Sequence, residues 1–363
     1  MENHTRLEAL SMKEIQYVSS SKLNEYILQV LLKLNVSDQV AQHVSKALLY
    51  ASLRGIDSHG VRLLPHYVRA IQGGRINPNP KYSFDQTGAS TGILDADHTF
   101  GHAACMHAVK KAVELAHEVG SGHVAIRNST HFGAASYYAH EIAKCDMIGV
   151  SMTNTDSQLR TPGGIRPFLG NNPICFSAPA EDGFVFTLDM ATSVMTYNKI
   201  KQMAAAGQVL PSGVAADSYG KETTDPSKAA MLIPFGDYRG YGLSILIELF
   251  CSMFTGMLYG PDIPKMFEAP LHQKRNIGQF ISAYRINCFQ PIDIFKKRFS
   301  ELLYRLRNEP RMQEEIPIFV PGDKEEVCYR ERIQHGIPLP AKEYEDFCKL
   351  TQQFGLINME IKY

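Results

Sequence analysis

The chain has 363 residues, 44% hydrophobic and 20% charged, ordinary globular material for about two or three structural units with a large core. Lys+Arg and Asp+Glu both total 37, so no global field recruits nucleic acid or an acidic membrane, and any anion must be held locally. Seven scattered cysteines (Cys105, Cys145, Cys175, Cys251, Cys288, Cys328 and Cys348) without a Cys-x-x-Cys pair argue against a disulfide framework or a structural zinc site.

In chain order, Met1 to Gln16 lacks the apolar centre of a signal peptide, which suggests a cytoplasmic setting. Ser19-Ser20-Ser21 precedes apolar residues at 23, 26, 27, 30 and 31, a helix start followed by helical spacing. A second helix is expected from Ser37-Asp38 until before Gly55, and a third over Leu63 to Ile71, starting close to Pro65 and stopped by Gly73-Gly74. From about Tyr82 the texture becomes mixed. Gly92 to Asp95 reads as a strand end, His102 to Val119 as a long helix, Gly122 to Arg127 as a buried strand, Ala135 to Lys144 as a helix, and Met147 to Met152 as a strand. Further strands are expected over Asn172 to Ser177 and Gly183 to Asp189. Leu243 to Met257, interrupted by Ser244, Glu248, Ser252 and Thr255, is too broken for a membrane span and reads as a buried helix. Pro291 to Glu309 is helical, the next stretch irregular with Pro317, Pro321 and Gly322, and a short helix follows Pro340. The first eighty residues thus read as helical, the middle of the chain as a mixed α/β layer structure, and the chain after about Gln290 as helical again.

The common nucleotide signatures fail. Gly120-Ser121-Gly122-His123-Val124-Ala125 follows a helix and precedes a strand, the reverse of a dinucleotide fingerprint, so it reads as a helix-ending turn. There is no Walker loop, His-Glu-x-x-His or Gly-x-Ser-x-Gly. Three polar runs carry more. Asp57-Ser58-His59-Gly60-Val61-Arg62 sets an imidazole beside a hydroxyl and a guanidinium suited to a carboxylate, although a surface turn has the same composition. Asn128 to Ala134 places His131 between a strand and a helix, where it could donate to a carbonyl oxygen or simply cap the helix. Thr187 to Ser193 brings Asp189 to a strand end, as an imidazole partner, a ribose contact or an N-cap.

These runs, with Asn171-Asn172-Pro173, Thr223-Thr224-Asp225-Pro226, Arg239-Gly240-Tyr241-Gly242-Leu243 and Gly336-Ile337-Pro338-Leu339 in the same order, resemble the non-Rossmann malate/L-lactate dehydrogenase family, with ureidoglycolate dehydrogenase, diketogulonate reductase and piperideine-2-carboxylate reductase among its relatives. The resemblance spans about Ser19 to Leu350. It implies an α+β fold, a helical domain from both chain ends (1–80 with 290–363) and a central mixed-sheet α/β domain (81–289) of non-Rossmann type that binds nicotinamide, in a homodimer. It also implies hydride exchange between NAD or NADP, NAD favoured, and a small 2-oxo/2-hydroxy acid of malate or L-lactate type. No metal, nucleic acid or membrane is implied. His59 and His131 inherit the catalytic positions, Ser58 and Asp189 a relay with His59, and Arg62 the substrate carboxylate. Cofactor contacts fall on Thr155, Asp189, Met190, Ala191, Tyr238, Arg239, Gly322, Asp323 and Lys324.

Departures from the family pattern are Arg239 for the lysine before Gly-Tyr-Gly-Leu, Gln279 for a histidine, Asn198-Lys199 for Gly-Lys, and Asn171 for a threonine. Arg160 could meet a second carboxylate, which favours a diacid such as malate. The alternatives are an imine reductase acting on a cyclic 2-carboxylate, and a relative that binds cofactor without turnover.

Overall fold

A computed structural model describes residues 15–356; the signal-peptide argument from Met1 to Gln16 falls almost wholly outside them. The chain opens with β1 (Gln16–Val18), α1 (Ser20–Lys33), α2 (Asp38–Leu53) and α3 (Leu64–Gln72). It continues through β2 (Ser83–Gln86), β3 (Thr91–Asp95), α4 (Gly101–Val119), β4 (Ser121–Ser129), α5 (Ala135–Ala143), β5 (Met147–Thr153), β6 (Ser157–Arg160), β7 (Pro167–Gly170), β8 (Ile174–Pro179) and β9 (Val185–Met190). Then follow α6 (Tyr197–Ala205), β10 (Ala215–Ala216), β11 (Met231–Leu232), α7 (Tyr238–Glu248), β12 (Ile277–Arg285), α8 (Ile292–Arg307), α9 (Asp323–His335), β13 (Ile337–Leu339) and α10 (Ala341–Phe354).

The helical start follows the sequence closely. Ser19 caps α1 by accepting from the Lys22 amide, and Leu23, Tyr26, Ile27, Val30 and Leu31 form its buried stripe. That stripe joins α2, α3, Ile337, Leu339, Phe347 and Leu350 in one core, so the end of the chain returns to its beginning. Tyr26 stacks on Phe347 and donates to its carbonyl at 2.8 Å, while β1 and β13 pair antiparallel. Each large apolar side chain buried there contributes roughly 1.5–3 kcal/mol before chain entropy is charged against it.

The main sheet has seven strands in the order β2-β3-β4-β12-β5-β8-β9, with β3/β4 parallel and every other neighbour antiparallel. α4 and α5 cover one face through Ala104, Ala108, Ala112 and Tyr138; α7 and the turn after it cover the other through Ile247 and Cys251. A four-stranded sheet, β10-β11-β6-β7, makes a separate core with Ile200 of α6. This is not a doubly wound parallel sheet, and Gly120, at φ +94, ends α4 as a left-handed C-cap.

Three expectations change. The stretch after Glu309 is not irregular throughout, because α9 occupies Asp323–His335; it has no buried residue, so its sequence carries no apolar period. The run from Leu243 to Met257 is not a buried helix. α7 ends at Glu248, a π-helical turn covers Leu249–Met253, and Ile245, Leu246, Leu249 and Met253 are exposed. The central strand β12 and the small sheet had no reading. β12 is covered on both faces, so its residues do not alternate. Among the described residues no helix is long and apolar enough to cross a membrane.

Candidate active site

The polar run after α2 forms two consecutive 3-10 turns, Asp57–His59 and Val61–Leu63. Its path is over-determined. Arg332 of α9 grips the Asp57 carboxylate with two nitrogens, at 2.6 and 2.9 Å, and also donates to Ser52 O. Val61 N–H donates to Ser52 Oγ at 3.0 Å, and a Cβ at Gly60 would collide with that same hydroxyl, so only glycine lets the turn lie down on α2.

His131 arrives from the loop after β4. Thr130 Oγ1 donates to Thr99 O at 2.9 Å and accepts from Gly101 N–H at 3.1 Å, and Gln279 of β12 donates to Thr130 O at 2.8 Å. These bonds bring the His131 ring onto the His59 ring, with centroids 5.5 Å apart and planes 24° from parallel. Ser58 Oγ lies 2.8 Å from His59 Nδ1, and Tyr67 of α3 lies 2.7 Å from His131 Nδ1.

Burial holds the Tyr67 phenol well above its ordinary range, so it stays protonated. Its hydroxyl and His131 Nδ1 share one hydrogen bond in either ring tautomer, so Nδ1 is the engaged nitrogen and Nε2 has no hydrogen bond among the described residues. Burial, and then the Arg62 charge, pushes His59 down to about 4. Burial and then His59 hold His131 well below the usual histidine range. Behind them His102 is pulled down to about 3 by burial, and its ring nitrogens have no hydrogen-bond partner. The result is a set of neutral imidazoles at pH 7.

Two arginines flank the pair. Arg62 is half-buried, and its Nη2 donates to Asn198 Oδ1 of α6 at 3.1 Å. Arg275 is 3% exposed; Nε donates to Pro264 O at 2.9 Å and Nη2 pairs with Asp156. Its Nη1 makes no hydrogen bond among the described residues and is not sealed from solvent, and its charge is felt at both His131 and Tyr67.

The remaining candidates lie farther out. Asp189 accepts from Ser136 N–H at the start of α5, 2.8 Å, and no hydrogen bond joins it to Ser58 or His59; the protein packed around it raises its carboxyl while Ser136 opposes the rise. It opens with Gly322 and Lys324 into a cleft of about 930 Å³ that Tyr50, Arg54 and Ser136 also line. Asp323 has its carboxylate fully engaged, by Arg307 at 2.6 and 3.0 Å and Val320 N–H at 2.9 Å. Thr155 N–H donates to Asn172 Oδ1 at 2.9 Å. Met190 and Ala191 follow Asp189 toward the start of α7, where Gly240 packs on Thr192 O and carries Tyr238, 69% exposed, and Arg239 close by. Arg160 donates to Gly220 O.

Sequence inspection passed over Tyr67, Arg275, Asp156 and His102. Tyr67 sits among Leu64 and Val68 in an amphipathic helix and reads as core, and Arg275 lies in a polar loop with nothing local to distinguish it.

The malate/L-lactate dehydrogenase family profile matches residues 18–348. The chain is 33% identical to the malate dehydrogenase of Pyrococcus abyssi over 354 residues, 95% of this chain and 96% of that protein. It is 29% identical to an NAD(+) ureidoglycolate dehydrogenase of Escherichia coli O157:H7 over 328 residues, 90% and 94%. Its structure superposes on that of malate dehydrogenase from Entamoeba histolytica with TM-score 0.89 at 29% identity, covering 95% and 99% of the two chains. With delta1-piperideine-2-carboxylate reductase from Pseudomonas syringae the TM-score is 0.82 at 25% identity, covering 92% and 99%. A mixed sheet without a glycine fingerprint, a histidine pair flanked by arginines, and near full-length similarity agree: the chain belongs to the malate/L-lactate dehydrogenase family and is an oxidoreductase of the 2-hydroxy-acid class.

Proposed function

We propose that the protein interconverts a small 2-oxo acid and its 2-hydroxy acid, with a malate-type acid as first substrate, His131 as the proton donor and acceptor, and NAD as the preferred cofactor. The observation that carries this reading is the Tyr67 hydroxyl on His131 Nδ1, which leaves Nε2 as the nitrogen that faces a reacting oxygen. His59, held at Nδ1 by Ser58, stacks on the same ring.

When bound, the nicotinamide supplies or takes the hydride. His131 reacts as the imidazolium, its proton drawn from solvent once the substrate anion has raised its proton affinity. During reduction the Nε2 proton passes to the carbonyl oxygen and the ring stays neutral with its remaining proton on Nδ1 toward Tyr67 Oη; during oxidation that ring takes the hydroxyl proton at its free Nε2. Arg62 and the unpaired Nη1 of Arg275 are suited to the neighbouring carboxylate, and an anion seated there raises the proton affinity of both depressed histidines. Arg160 keeps a role as second-carboxylate contact only if Arg160→Ala changes the malate-to-lactate preference.

The cleft suits a dinucleotide in size and charge. Its volume of about 930 Å³ is in the range of cofactor sites, and Lys46, Arg54, Lys144 and Lys324 give its wall cations for a pyrophosphate. In this reading Asp189, Met190, Ala191, Gly322 and Lys324 hold the cofactor along the open edge of β9, and Thr155, Tyr238 and Arg239 sit at its far end. Asp323 contributes backbone only, since Arg307 occupies its carboxylate. Glu325 and Glu326 in the same wall favour a free ribose hydroxyl over a 2′-phosphate, hence NAD.

Two further parts of the reading concern setting and assembly. Seven unpaired thiols suit the cytoplasm. The exposed stripe Ile245, Leu246, Leu249 and Met253 is suited to a second copy, because a two-fold axis sets like against like and this stripe carries no charge. Light scattering should give twice the chain mass, and Leu249→Lys should halve it.

The test of activity is loss of dihydronicotinamide absorbance, with NADH and separately NADPH, over a panel led by oxaloacetate and pyruvate. Consumption with a 2-oxo acid and NADH supports the proposal. Turnover restricted to a cyclic imine carboxylate would replace it with imine reduction, and binding without turnover would make the protein an inactive relative.

A further inference from the structure

The loop from Leu258 to Asn276 joins the π-helical turn to β12 and, apart from a 3-10 turn at Gly260–Asp262, has no regular structure of its own. It is stitched instead to the end of α3 by one side chain. Arg75, 1% exposed, donates to four carbonyls of the loop: Nη1 to Met266 at 2.7 Å, Nη2 to Ala269 and Pro270 at 2.8 and 3.1 Å, and Nε to Gln273 at 3.2 Å. Lys274 returns the tie, its Nζ donating to Gly74 O at 2.8 Å and Arg75 O at 3.3 Å, and Gly73 packs against Leu271 so closely that any Cβ there would strike it.

What the loop carries explains why the tie matters. Phe267 leans on the ring of His66 with centroids 4.9 Å apart, and at the loop's end stands Arg275, whose charge reaches His131 and Tyr67. Three residues beyond the helix that carries Tyr67 thus stands the side chain that holds the loop bearing Arg275. Arg75 has no carboxylate partner; its hydrogen bonds all go to carbonyls. Asp156 pairs with Arg275 alone, so the buried group of two guanidiniums and one carboxylate keeps one positive charge. A group so placed attracts anions without spending a carboxylate on each cation.

We propose that Arg75 is a positioning residue that selects for carboxylate substrates, by holding Arg275 against the histidine pair and by adding the unbalanced positive charge behind it. This rests on the reading that the acid binds at His59 and His131. Arg75→Lys keeps the charge and loses the four-carbonyl grip; Lys274→Met removes the weaker tie and leaves Arg75 intact. Each is compared with the wild type for KM of the 2-oxo acid, KM of NADH, and amide hydrogen exchange over residues 258–276.

The expected result is a rise of about tenfold in KM for the acid in Arg75→Lys, the scale of one lost charge-assisted contact, and about twofold in Lys274→Met, with KM for NADH unchanged and exchange faster within the loop alone. An acid KM within twofold of wild type in Arg75→Lys, or equal rises in both KM values, overturns the proposal while leaving the functional reading intact. Should Arg75→Lys fail to fold, Lys274→Met decides it: a reproducible rise of about twofold in KM for the acid alone, with faster exchange in the loop, supports the proposal, and an unchanged acid KM overturns it. Should the wild type turn over no 2-oxo acid, the functional reading fails, and thermal protection by malonate against malonamide decides: malonate protection lost in Arg75→Lys or Lys274→Met supports the anion site, and undiminished protection overturns it.

Discussion

The histidine end of the site and the cleft proposed to take the cofactor solve opposite problems with opposite means. Around His131 and His59 the polar groups are buried and paired, drawn from α3, the loop after β4, the turn after α2 and the loop before β12, so position is set to within a hydrogen bond. The cleft is wide and studded with charges of both signs from α2, α5 and the turn before α9, and only Asp189 in it is held by a backbone amide. Proton transfer needs one nitrogen at one place; a flexible dinucleotide needs a shaped, charged wall. Substitutions at the first end should therefore alter rate, and at the second, affinity.

The largest effect should come from His131→Asn, which keeps a polar side chain in place but removes the titratable ring. The expected fall in kcat is on the order of 10²–10⁴, with NADH binding by fluorescence unchanged. A fall in cofactor affinity instead would erase the distinction between the two ends. Tyr67→Phe tests the same end more gently. The ring still fills its place, but Nδ1 of His131 loses its hydrogen-bond partner, and kcat/KM for the acid should drop about tenfold at constant thermal stability.

The depressed histidines give a third test, with a sign that can be worked out. His59 and His66 are held down to about 4 and His102 to about 3, chiefly by burial, so between 6.5 and about 4 the unfolded chain binds protons that the folded one refuses. Stability is therefore whole above 6.5 and is lost as pH falls toward 4. The melting temperature should drop by about 5 °C from pH 7 to pH 5, and His102→Phe should remove part of that slope. A flat profile would mean that these rings are hydrated. The smallest effect is expected at Lys324→Met, a rise of roughly two- to fivefold in KM for NADH that fades with added salt, with kcat unchanged.

Much of this protein is legible before folding. Helices with one buried face announce themselves through residues such as Leu23, Ile27 and Val30, and through caps such as Ser19 and Gly120. The histidines too stand out, because Ser58-His59 and His131 are polar runs in otherwise apolar company. What stays hidden is whatever depends on a long-range neighbour. α9 buries nothing and has no period, yet its Arg332 pins the turn that carries His59. β12 is sealed on both faces and does not alternate, yet Gln279 anchors the His131 loop from 148 residues away.

By itself, then, the order of residues determined the helical frame, the mixed sheet and the two histidines, because periodicity and composition act over a few residues at a time. Only the tertiary structure decided that Tyr67 engages Nδ1 of His131, that Asp189 bonds to Ser136 and not to Ser58, and that Arg75 and Arg275 meet around one loop. Those are relations between side chains 53 to 200 positions apart, and no local property of a sequence records which distant groups will share a hydrogen bond.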